Sequence, residues 1–292
     1  MKNSESNEAL APVVIAQAAT EFVALQVRQS GAVLHVTLNR PDSRNAMSLQ
    51  MVAELRQVLA AAESRVGADD AVRVVLLRGA GGHFCAGADL KDMAAARMRS
   101  MQKRQGDESD PIAEVNVEFG RLCVAYATTP LAVVAVLEGT VMGGGFGLAC
   151  VADVALACDT ASFRLPETGL GLVPAQIAPF LVERLGYSQA KRLAVTGGRL
   201  DAQAALRIGL VHSVTGTDRV QEELDSVLAD VLACAPGALA ATKELMAKAR
   251  LQEPRALIDE AAALFTRAAQ GPEGIEGMTA FMQKRKPQWA LQ

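Results

Sequence analysis

The chain of 292 residues has few aromatic residues, few cysteines and no long apolar run. Aromatic residues make up only 4% of it, so we expect a core built from Ala, Val and Leu. The five cysteines are scattered without a CxxC pair, which argues against a disulfide framework or a metal site and favours a reducing compartment. No stretch approaches the roughly 20 apolar residues of a membrane span. We therefore expect a cytoplasmic protein with no metal and no membrane partner.

The chain has little excess charge of either sign. Its formal net charge of -3 at pH 7 argues against a nucleic-acid partner that is held by overall positive charge. Residues 9–19 are mildly apolar, but acidic residues precede them and Pro12 interrupts them, so they are not typical of a secretory signal. We expect residues 1–23 to form a flexible tail.

Half of the residues are hydrophobic, which is ample material for a sizeable core, and their spacing alternates between that of strands and that of helices. Ser48 is a suitable N-cap for a helix with regularly spaced apolar residues. Strands that alternate with helices predict an α/β architecture. The predicted elements of this part are strands at 32–38, 72–77 and 131–137 and helices at 49–63 and 112–127.

The pattern changes in the last third of the chain. We expect Asp201 to cap a short helix and residues 210–214 to form a last strand. From about residue 218 helical spacing prevails, with prolines at its breaks. We therefore predict an α/β core over residues 24–212 and a helical region over residues 213–292. The predicted helices of that region are 218–234, 237–250, 254–270 and 273–285.

The most informative segment follows the apolar run 131–137 and has the sequence EGTVMGGGFGLACVADVALACDTASFRLPETGLGLVP. Its glycines, 143–145, stand where a strand ends and a helix begins. The backbone can approach a ligand there, and the first N–H groups of the helix stay unpaired. The helix dipole adds positive potential at this point. Further along, a single carboxylate, Glu167, stands among small and apolar residues. A cradle for negative charge beside one carboxylate predicts proton transfer on a polarised carbonyl.

A second glycine-rich loop, GAGGHFCAGADL at 79–90, also lies between a predicted strand and a predicted helix. Two such loops can direct N–H groups at one oxygen, which is the geometry of an oxyanion hole. His83 and Cys85 in this loop are better explained as a loop histidine and a buried thiol than as a nucleophilic pair. A dinucleotide fold is not indicated, because Leu148 stands where its third glycine belongs. The chain also lacks the phosphate loop of NTPases and the GxSxG elbow of serine hydrolases.

Three segments, HFCAGADLKDM, GTVMGGGFGLACVADVALA and FRLPETGLGLVP, resemble in order and spacing the signature segments of the enoyl-CoA hydratase/isomerase (crotonase) superfamily. RPDSRNAMS near the start and FMQKRKPQW at the end are also similar to that family, so the resemblance covers residues 24–290. It implies a crotonase (ClpP-like) spiral of repeated β-β-α units with a helical C-terminal region that trimerises. It also implies an acyl-CoA thioester substrate, with coenzyme A as part of that substrate and no separate cofactor, and self-association as a homotrimer or a dimer of trimers.

The resemblance further implies roles for particular residues. The N–H groups of Ala86 and Gly144 would hold the thioester oxygen while it becomes an enolate, and Glu167 would be the acid/base. Lys284, with Phe281 nearby, corresponds to the element that reaches the CoA of a neighbouring subunit. The other positions that correspond to binding of CoA or substrate are Arg44, Ala88, Asp89 and Gly143.

One position departs from the family pattern. Typical hydratases of the family have two glutamates; Glu167 corresponds to the second, whereas Gly147 stands in place of the first. We expect Gly147 to open space beside the acyl chain, which would suit a branched substrate that has its own carboxylate. The segment VPAQIAPFLVERLG also replaces a glycine-rich segment of the family.

These segments are most similar to those of hydratases of branched glutaconyl-CoA esters, first the isohexenylglutaconyl-CoA hydratases of acyclic terpene breakdown and next the methylglutaconyl-CoA hydratases of leucine breakdown. Hydration of such an ester is the favoured function. Two alternatives remain: an isomerase that moves a double bond with Glu167 as its only acid/base, and a non-catalytic acyl-CoA binder. Without the resemblance, Glu167 is equally well explained as a surface ion-pair partner of Arg164.

Overall fold

The structure, a computed structural model, describes residues 22–68, 70–102 and 110–290. Almost all of the predicted tail, residues 1–23, lies outside the described residues. Within the described ranges, strands and helices alternate along the chain and then give way to a run of helices. The predicted α/β architecture with a helical C-terminal part is therefore confirmed.

The strands form two sheets. They are β1 (Leu25–Ser30), β2 (Val33–Leu38), β3 (Val74–Gly79), β4 (Ala132–Leu137), β5 (Thr140–Met142), β6 (Val154–Cys158), β7 (Ser162–Arg164), β8 (Arg199–Asp201) and β9 (Ser213–Thr215). The larger sheet has the order β1-β2-β3-β4-β6-β9, in which only the β1–β2 pair is antiparallel. The smaller sheet has the order β5-β7-β8, and its three-residue strands were not predicted because they are too short to show a period.

The helices fall close to the predicted positions, except for the helix over residues 178–196, which was not predicted. They are α1 (Leu49–Glu63), α2 (Leu90–Met101), α3 (Pro111–Thr128), α4 (Gly144–Val151), α5 (Ala178–Thr196), α6 (Ala202–Arg207), α7 (Val220–Ala233), α8 (Pro236–Ala249), α9 (Ile258–Gln270) and α10 (Pro272–Met282). Helix α1 has the predicted bounds, and Ser48 Oγ caps it by accepting from the Met51 N–H at 3.1 Å. Asp201 likewise caps α6 through the Ala204 N–H.

Two predicted elements begin three or four residues later than expected. The last strand, predicted from residue 210, begins at Ser213, because the Leu210 N–H still donates to the Ala205 carbonyl oxygen at the end of α6. The helix predicted from residue 254 opens with a 3-10 turn, and α9 starts at Ile258.

The larger sheet is covered on both faces. Val75 and Leu77 of β3 pack in the cluster that contains the inner face of α1, whereas Val74 and Leu76 pack with Leu224 of α7 on the other face. Strands buried on both faces are typical of parallel sheets. Because β3 and β4 are parallel neighbours, their carboxyl ends meet at one edge, and both glycine-rich loops start from that edge.

In the described part of the chain, no single helix combines the length and apolarity required to cross a membrane. Helices α7 and α8, which meet at a bend of 97°, have that length and apolarity only when they are counted as one segment.

Candidate active site

A cavity of about 540 Å³ opens between α3, the N-terminus of α4 and the segment that follows Glu167. Both glycine-rich loops reach it from the same edge of the larger sheet. Of the residues predicted for the site, the cavity brings together Ala88, Asp89, Gly144 and Glu167. The remaining predicted residues stand outside its wall: Arg44, Ala86, Gly143, Gly147, Phe281 and Lys284.

The two glycine-rich loops contact each other backbone to backbone. The Met142 N–H donates to the Cys85 carbonyl oxygen at 2.9 Å. At the crossing, Gly87 and Gly143 have φ values of +94° and +48°, which side chains rarely adopt. A Cβ at Gly87 would stand 3.2 Å from the Met142 carbonyl oxygen, and one at Gly143 would stand 3.1 Å from Glu167 Oε1. Both glycines therefore permit the close approach of the loops.

The N–H of Ala86 is not available to a substrate, so its prediction as a donor is wrong. It donates to the Arg44 carbonyl oxygen at 3.0 Å. Gly87 then turns the chain, and its own carbonyl oxygen accepts from the Met47 N–H at 2.7 Å. The next N–H, that of Ala88, meets no acceptor among the described residues, and Ala88 is exposed at the cavity wall. Ala88 is thus the free donor of the first loop.

The second loop offers a matching donor at the start of α4. Gly144 is the first residue of that helix, so its N–H has no acceptor within the helix. No other acceptor meets this N–H in the ranges that the structure describes. The helix dipole adds positive potential at the same end. Ala88 and Gly144 give the cavity two free backbone donors, which is what stabilisation of an oxyanion requires.

Glu167 brings a carboxylate to this cavity. It opens a short 3-10 turn that Thr168 ties to α5 by donating to the Ala194 carbonyl oxygen at 2.8 Å. Its Oε1 lies beside Gly143, and its Oε2 is buried without a hydrogen-bond partner in the described structure. Burial raises the pKa of Glu167 above its ordinary value. No ion pair joins it to Arg164 within the described residues. A carboxylate that is partly desolvated in this way is a stronger base than one in water and is suited to proton transfer.

The prediction that Gly147 opens space in the cavity is wrong. A Cβ at Gly147 would stand 2.4 Å from Ile177 Cγ2 and 3.2 Å from Phe119 Cζ. The volume next to this buried glycine is therefore already filled. The sequence shows that position 147 has no side chain. Only the packing of Ile177 and Phe119, from two distant segments, shows that their side chains fill that space.

Gln176, the neighbour of Ile177, fills a second gap. Its Oε1 lies 2.2 Å from the point where a Cβ at Gly120 of α3 would stand. Its Nε2 donates to Asn116 Oδ1 at 2.8 Å, and both amide side chains line the cavity. Neither residue was predicted for the site. The only sequence signal for Gln176 was the departure of VPAQIAPFLVERLG from the family pattern.

Asp89 holds the first loop in place. Its carboxylate accepts from the Lys91 N–H as the N-cap of α2 and pairs with Arg40 at 2.6 Å. Burial alone would raise the pKa of Asp89, but the Lys91 N–H and the Arg40 guanidinium hold it below its usual value. Arg44 is exposed, in a left-handed conformation with φ of 51°. Its contribution to the loop is the carbonyl oxygen described above.

Phe281 and Lys284 lie at the end of α10, outside the cavity wall. Phe281 is 85% exposed, and Lys284 is exposed as well. Their predicted contact with the CoA of a neighbouring subunit requires a second copy of the chain and stays a prediction.

Neither thiol chemistry nor metal binding is favoured at this site. Burial raises the pKa of the Cys85 thiol to about 11, and His83 Nδ1 accepts from the Thr140 N–H at 3.1 Å. Among the described residues, no group of three or more His, Cys, Asp or Glu side chains is placed to hold a metal ion.

A larger cavity of about 1170 Å³ lies between α8, α9, α10 and the end of α3. Charged side chains at its wall form ion pairs, such as Lys243 with Asp153 at 2.5 Å and Lys248 with Glu244 at 2.7 Å. It is therefore less suited to catalysis than the smaller cavity, where Glu167, with an Oε2 that is unpartnered among the described residues, shares the wall with the free N–H donors of Ala88 and Gly144.

Comparison with known proteins identifies the family to which this geometry corresponds. Residues 28–292 match the family described as enoyl-CoA hydratase/isomerase. The chain is 31% identical over 264 residues to the 2,3-dehydroadipyl-CoA hydratase of Escherichia coli (strain K12), covering 90% of this chain and 97% of that protein. It is 32% identical over 275 residues to the carnitinyl-CoA dehydratase of Proteus mirabilis (strain HI4320), covering 91% and 97%.

Solved structures agree with that result. An enoyl-CoA hydratase/isomerase from Marinobacter aquaeolei superposes with a TM-score of 0.85 at 49% identity and covers 91% of this chain and 99% of its own. Pseudomonas aeruginosa AtuE superposes with a TM-score of 0.85 at 50% identity and covers 92% and 100%. The predicted crotonase fold is thereby confirmed.

Proposed function

The chain belongs to the enoyl-CoA hydratase/isomerase family, and on that premise we propose that it is an enoyl-CoA hydratase that adds water across the 2,3 double bond of a branched glutaconyl-type enoyl-CoA. Isohexenylglutaconyl-CoA, from acyclic terpene breakdown, is the favoured substrate. One observation carries the proposal: Glu167, whose Oε2 is buried and unpartnered in the described structure, lines a cavity that also offers the N–H groups of Ala88 and Gly144.

The two backbone donors act on the thioester oxygen. When a nucleophile bonds to C3 of the enoyl group, the electron pair of the double bond moves through C2 to that oxygen, and an enolate forms. Ala88 and Gly144 hold this oxygen through preset N–H groups, which need no reorganisation during the reaction. A donor of this kind contributes roughly 10²–10³ in rate.

Glu167 moves the proton. As its carboxylate, it accepts a proton from a water molecule while the water oxygen bonds to C3. As the resulting carboxylic acid, it returns that proton to C2 and quenches the enolate, so the hydrogen and the hydroxyl of one water are both accounted for. Burial raises the pKa of Glu167, which makes its carboxylate a stronger base for the first step.

Two relatives support hydration and a polar acyl end. They are named as a hydratase of 2,3-dehydroadipyl-CoA and a dehydratase of carnitinyl-CoA, and both names describe acyl groups with a charged far end. The cavity also has an apolar wall, which fits a hydrocarbon branch. Members of that wall include Ile112, Val115, Leu172 and Val173.

An isomerase is the second candidate, and one specific observation favours it. Gly147 has no side chain, and Ile177 and Phe119 fill the space beside it, so position 147 supplies no second carboxylate. A single acid/base is sufficient to move a proton between two carbons, because no water has to be held.

We also propose self-association as a homotrimer or a dimer of trimers. Large apolar side chains of α9 and α10 are exposed in the single chain, including Phe265 at 75% and Phe281 at 85%. Apolar exposure of this extent marks an interaction surface. CoA enters as part of the substrate, and no separate cofactor is proposed.

Incubation with a panel of enoyl-CoA esters in ¹⁸O-labelled water tests the proposal, with products identified by mass. A hydratase forms a product heavier by one labelled water from branched glutaconyl esters. The Glu167→Gln variant should bind the ester and form this product at least about a hundredfold more slowly. A product of unchanged mass with a shifted double bond would establish the isomerase instead. Tight binding without turnover across the panel would indicate a non-catalytic binder.

A further inference from the structure

We infer that Asn116 recognises an acceptor oxygen on the acyl branch of the substrate and that Gln176 is the residue that positions it. The choice of acyl group, a glutaconyl ester with a carboxylate on its branch, rests on the proposed function. The amide pair itself is an observation on the structure, independent of that choice.

Asn116 is the polar member of the face of α3 that lines the cavity. The other members of that face are Ile112, Ala113, Val115 and Phe119. Asn116 lies one helical turn before Phe119, whose ring would stand 3.4 Å from a Cβ at Gly144. One turn rises about 5 Å along the helix. This rise is close to the distance between the thioester oxygen of an enoyl-CoA and a substituent on its C3. The position of Asn116 therefore suits the acyl branch.

Gln176 fixes the orientation of the Asn116 amide. Its Oε1 is seated in the gap over Gly120, and its Nε2 donates to Asn116 Oδ1 at 2.8 Å. An asparagine amide has one acceptor oxygen and one nitrogen with two donor hydrogens. Because the oxygen is engaged by Gln176, the nitrogen is left to donate. Asn116 Nδ2 meets no acceptor within the part of the chain that the structure describes.

The charges around the cavity make this donor important for an acidic substrate. Within the described ranges, no Lys, Arg or His side chain lines the cavity. Four carboxylates line it as well. Glu167 is the proposed acid/base, Asp89 pairs with Arg40, Asp92 accepts from the Leu49 N–H at 2.7 Å, and Asp110 accepts from the Ile112 N–H at 2.8 Å as the N-cap of α3. A substrate carboxylate seated there has no cation of the described wall to meet, so it depends on a neutral donor.

A different role for the pair is purely structural, as a clamp between α3 and the segment 172–177. The two roles differ in one measurable quantity. A clamp affects every acyl-CoA equally, whereas a receptor affects only those acyl groups that carry the acceptor oxygen.

Binding of two unreactive thioesters separates these roles without requiring turnover. 3-Methylglutaryl-CoA and isovaleryl-CoA differ by one carboxylate and lack the 2,3 double bond. We expect the wild type to bind 3-methylglutaryl-CoA more tightly in calorimetric titration. Asn116→Leu should weaken that binding about ten- to a hundredfold, as loss of a hydrogen bond to a charged group does. The affinity of this variant for isovaleryl-CoA should stay within about threefold of the wild-type value.

The Gln176→Glu variant tests the positioning role while Asn116 is retained. A glutamate there accepts from Asn116 Nδ2 and turns Oδ1 towards the cavity, so the preference for the acidic thioester should disappear. Val117→Ala, on an exposed part of α3 outside the cavity wall, is the matched control and should bind both thioesters as the wild type does.

Two results would overturn the inference. One is a wild type that binds both thioesters equally, and the other is an Asn116→Leu variant that weakens both to the same extent. Failure of the proposed function is a separate result: the preference is present and is lost in Asn116→Leu, but no enoyl-CoA ester is hydrated.

Discussion

The Cγ2 atom of Ile177 lies 2.4 Å from the point where a Cβ at Gly147 would stand. Ile177 therefore occupies the volume that any side chain at position 147 would need. Phe119 closes the same gap from α3, with its Cζ 3.2 Å from that point. The wall of the cavity is apolar and full at a place where typical hydratases of the family carry a glutamate.

This contact predicts strong coupling between the two positions. Gly147→Ala alone should destabilise the protein by about 1–3 kcal/mol through overpacking. In an Ile177→Ala background the same change should be neutral or stabilise by up to about 1 kcal/mol, because alanine has the higher helix propensity. Urea unfolding of the four proteins gives the coupling energy.

Gly169→Ala is the matched control, because nothing lies within 4 Å of its added Cβ. Its effect on the free energy of unfolding should simply add to that of Ile177→Ala. Additivity of Gly147→Ala with Ile177→Ala would contradict the packing described here.

The free donor of the first loop can be tested by replacing a single N–H with an ester oxygen. Lactic acid in place of Ala88 should lower kcat by about 10²–10³, because the oxyanion loses one donor. Lactic acid in place of Ala86 should cost about 0.5–1.5 kcal/mol of stability, as its bond to Arg44 is lost, and leave kcat close to that of the wild type.

Both esters also weaken a neighbouring carbonyl acceptor, so some loss of stability is common to the two. Only the rate separates them. A larger loss of kcat with the ester at position 86 would restore the assignment that the structure contradicts.

Burial of Glu167 predicts that stability depends on pH in a defined direction. Its folded-state pKa is raised, so the folded protein favours the protonated form. That contribution is fully present below the unfolded-state pKa of about 4.3 and is lost as pH rises through the folded-state pKa. Glu167→Gln cannot ionise, so it should unfold at a higher temperature than the wild type at pH 7.5. The difference should shrink towards zero near pH 4, and equal Tm values at both pH values would argue against desolvation.

The same shift predicts an acid limb in the pH–rate profile. The first step needs the carboxylate form of Glu167, so kcat/KM should fall tenfold per pH unit below the raised pKa of the free enzyme. The midpoint should lie above the ordinary value of a glutamate. Glu167→Gln should lose about 10²–10⁴ in kcat. A profile that is flat down to the ordinary range would assign the proton transfer to another group.

The predicted contact of Lys284 with the CoA of a neighbouring subunit can be tested by comparing KM values for two thioesters. Lys284→Gln should raise KM for an acyl-CoA by several-fold, because a phosphate contact is lost. It should not change KM for the corresponding acyl-pantetheine, which lacks the nucleotide phosphates. Lys286→Gln, in the same basic run, is the control. Equal effects of Lys284→Gln on the two thioesters would remove this residue from the CoA site.

Local signals predicted much of the framework. The helix that Ser48 caps has the predicted bounds, because cap and apolar spacing lie within one short segment. Gly144 and Glu167 were both placed at the site, since a glycine-rich turn and a lone carboxylate among apolar residues are visible in one sequence. The structure brings them into one cavity.

What could not be predicted depends on contacts between distant segments. The choice between Ala86 and Ala88 follows from a hydrogen bond to Arg44, in another loop. The filled space beside Gly147 follows from Ile177, which reaches it from the segment after the 3-10 turn. Spacing within a motif contains neither contact.

The fit of Ile177 against Gly147 also limits the order in which such a site can change over generations. A side chain acquired first at position 147 meets a filled volume, whereas a smaller residue acquired first at position 177 leaves only a cavity. A route towards a two-carboxylate enzyme would then begin at position 177, and the reverse route would end there. Related proteins with a small residue at both position 147 and position 177 are the intermediates that we expect from either route.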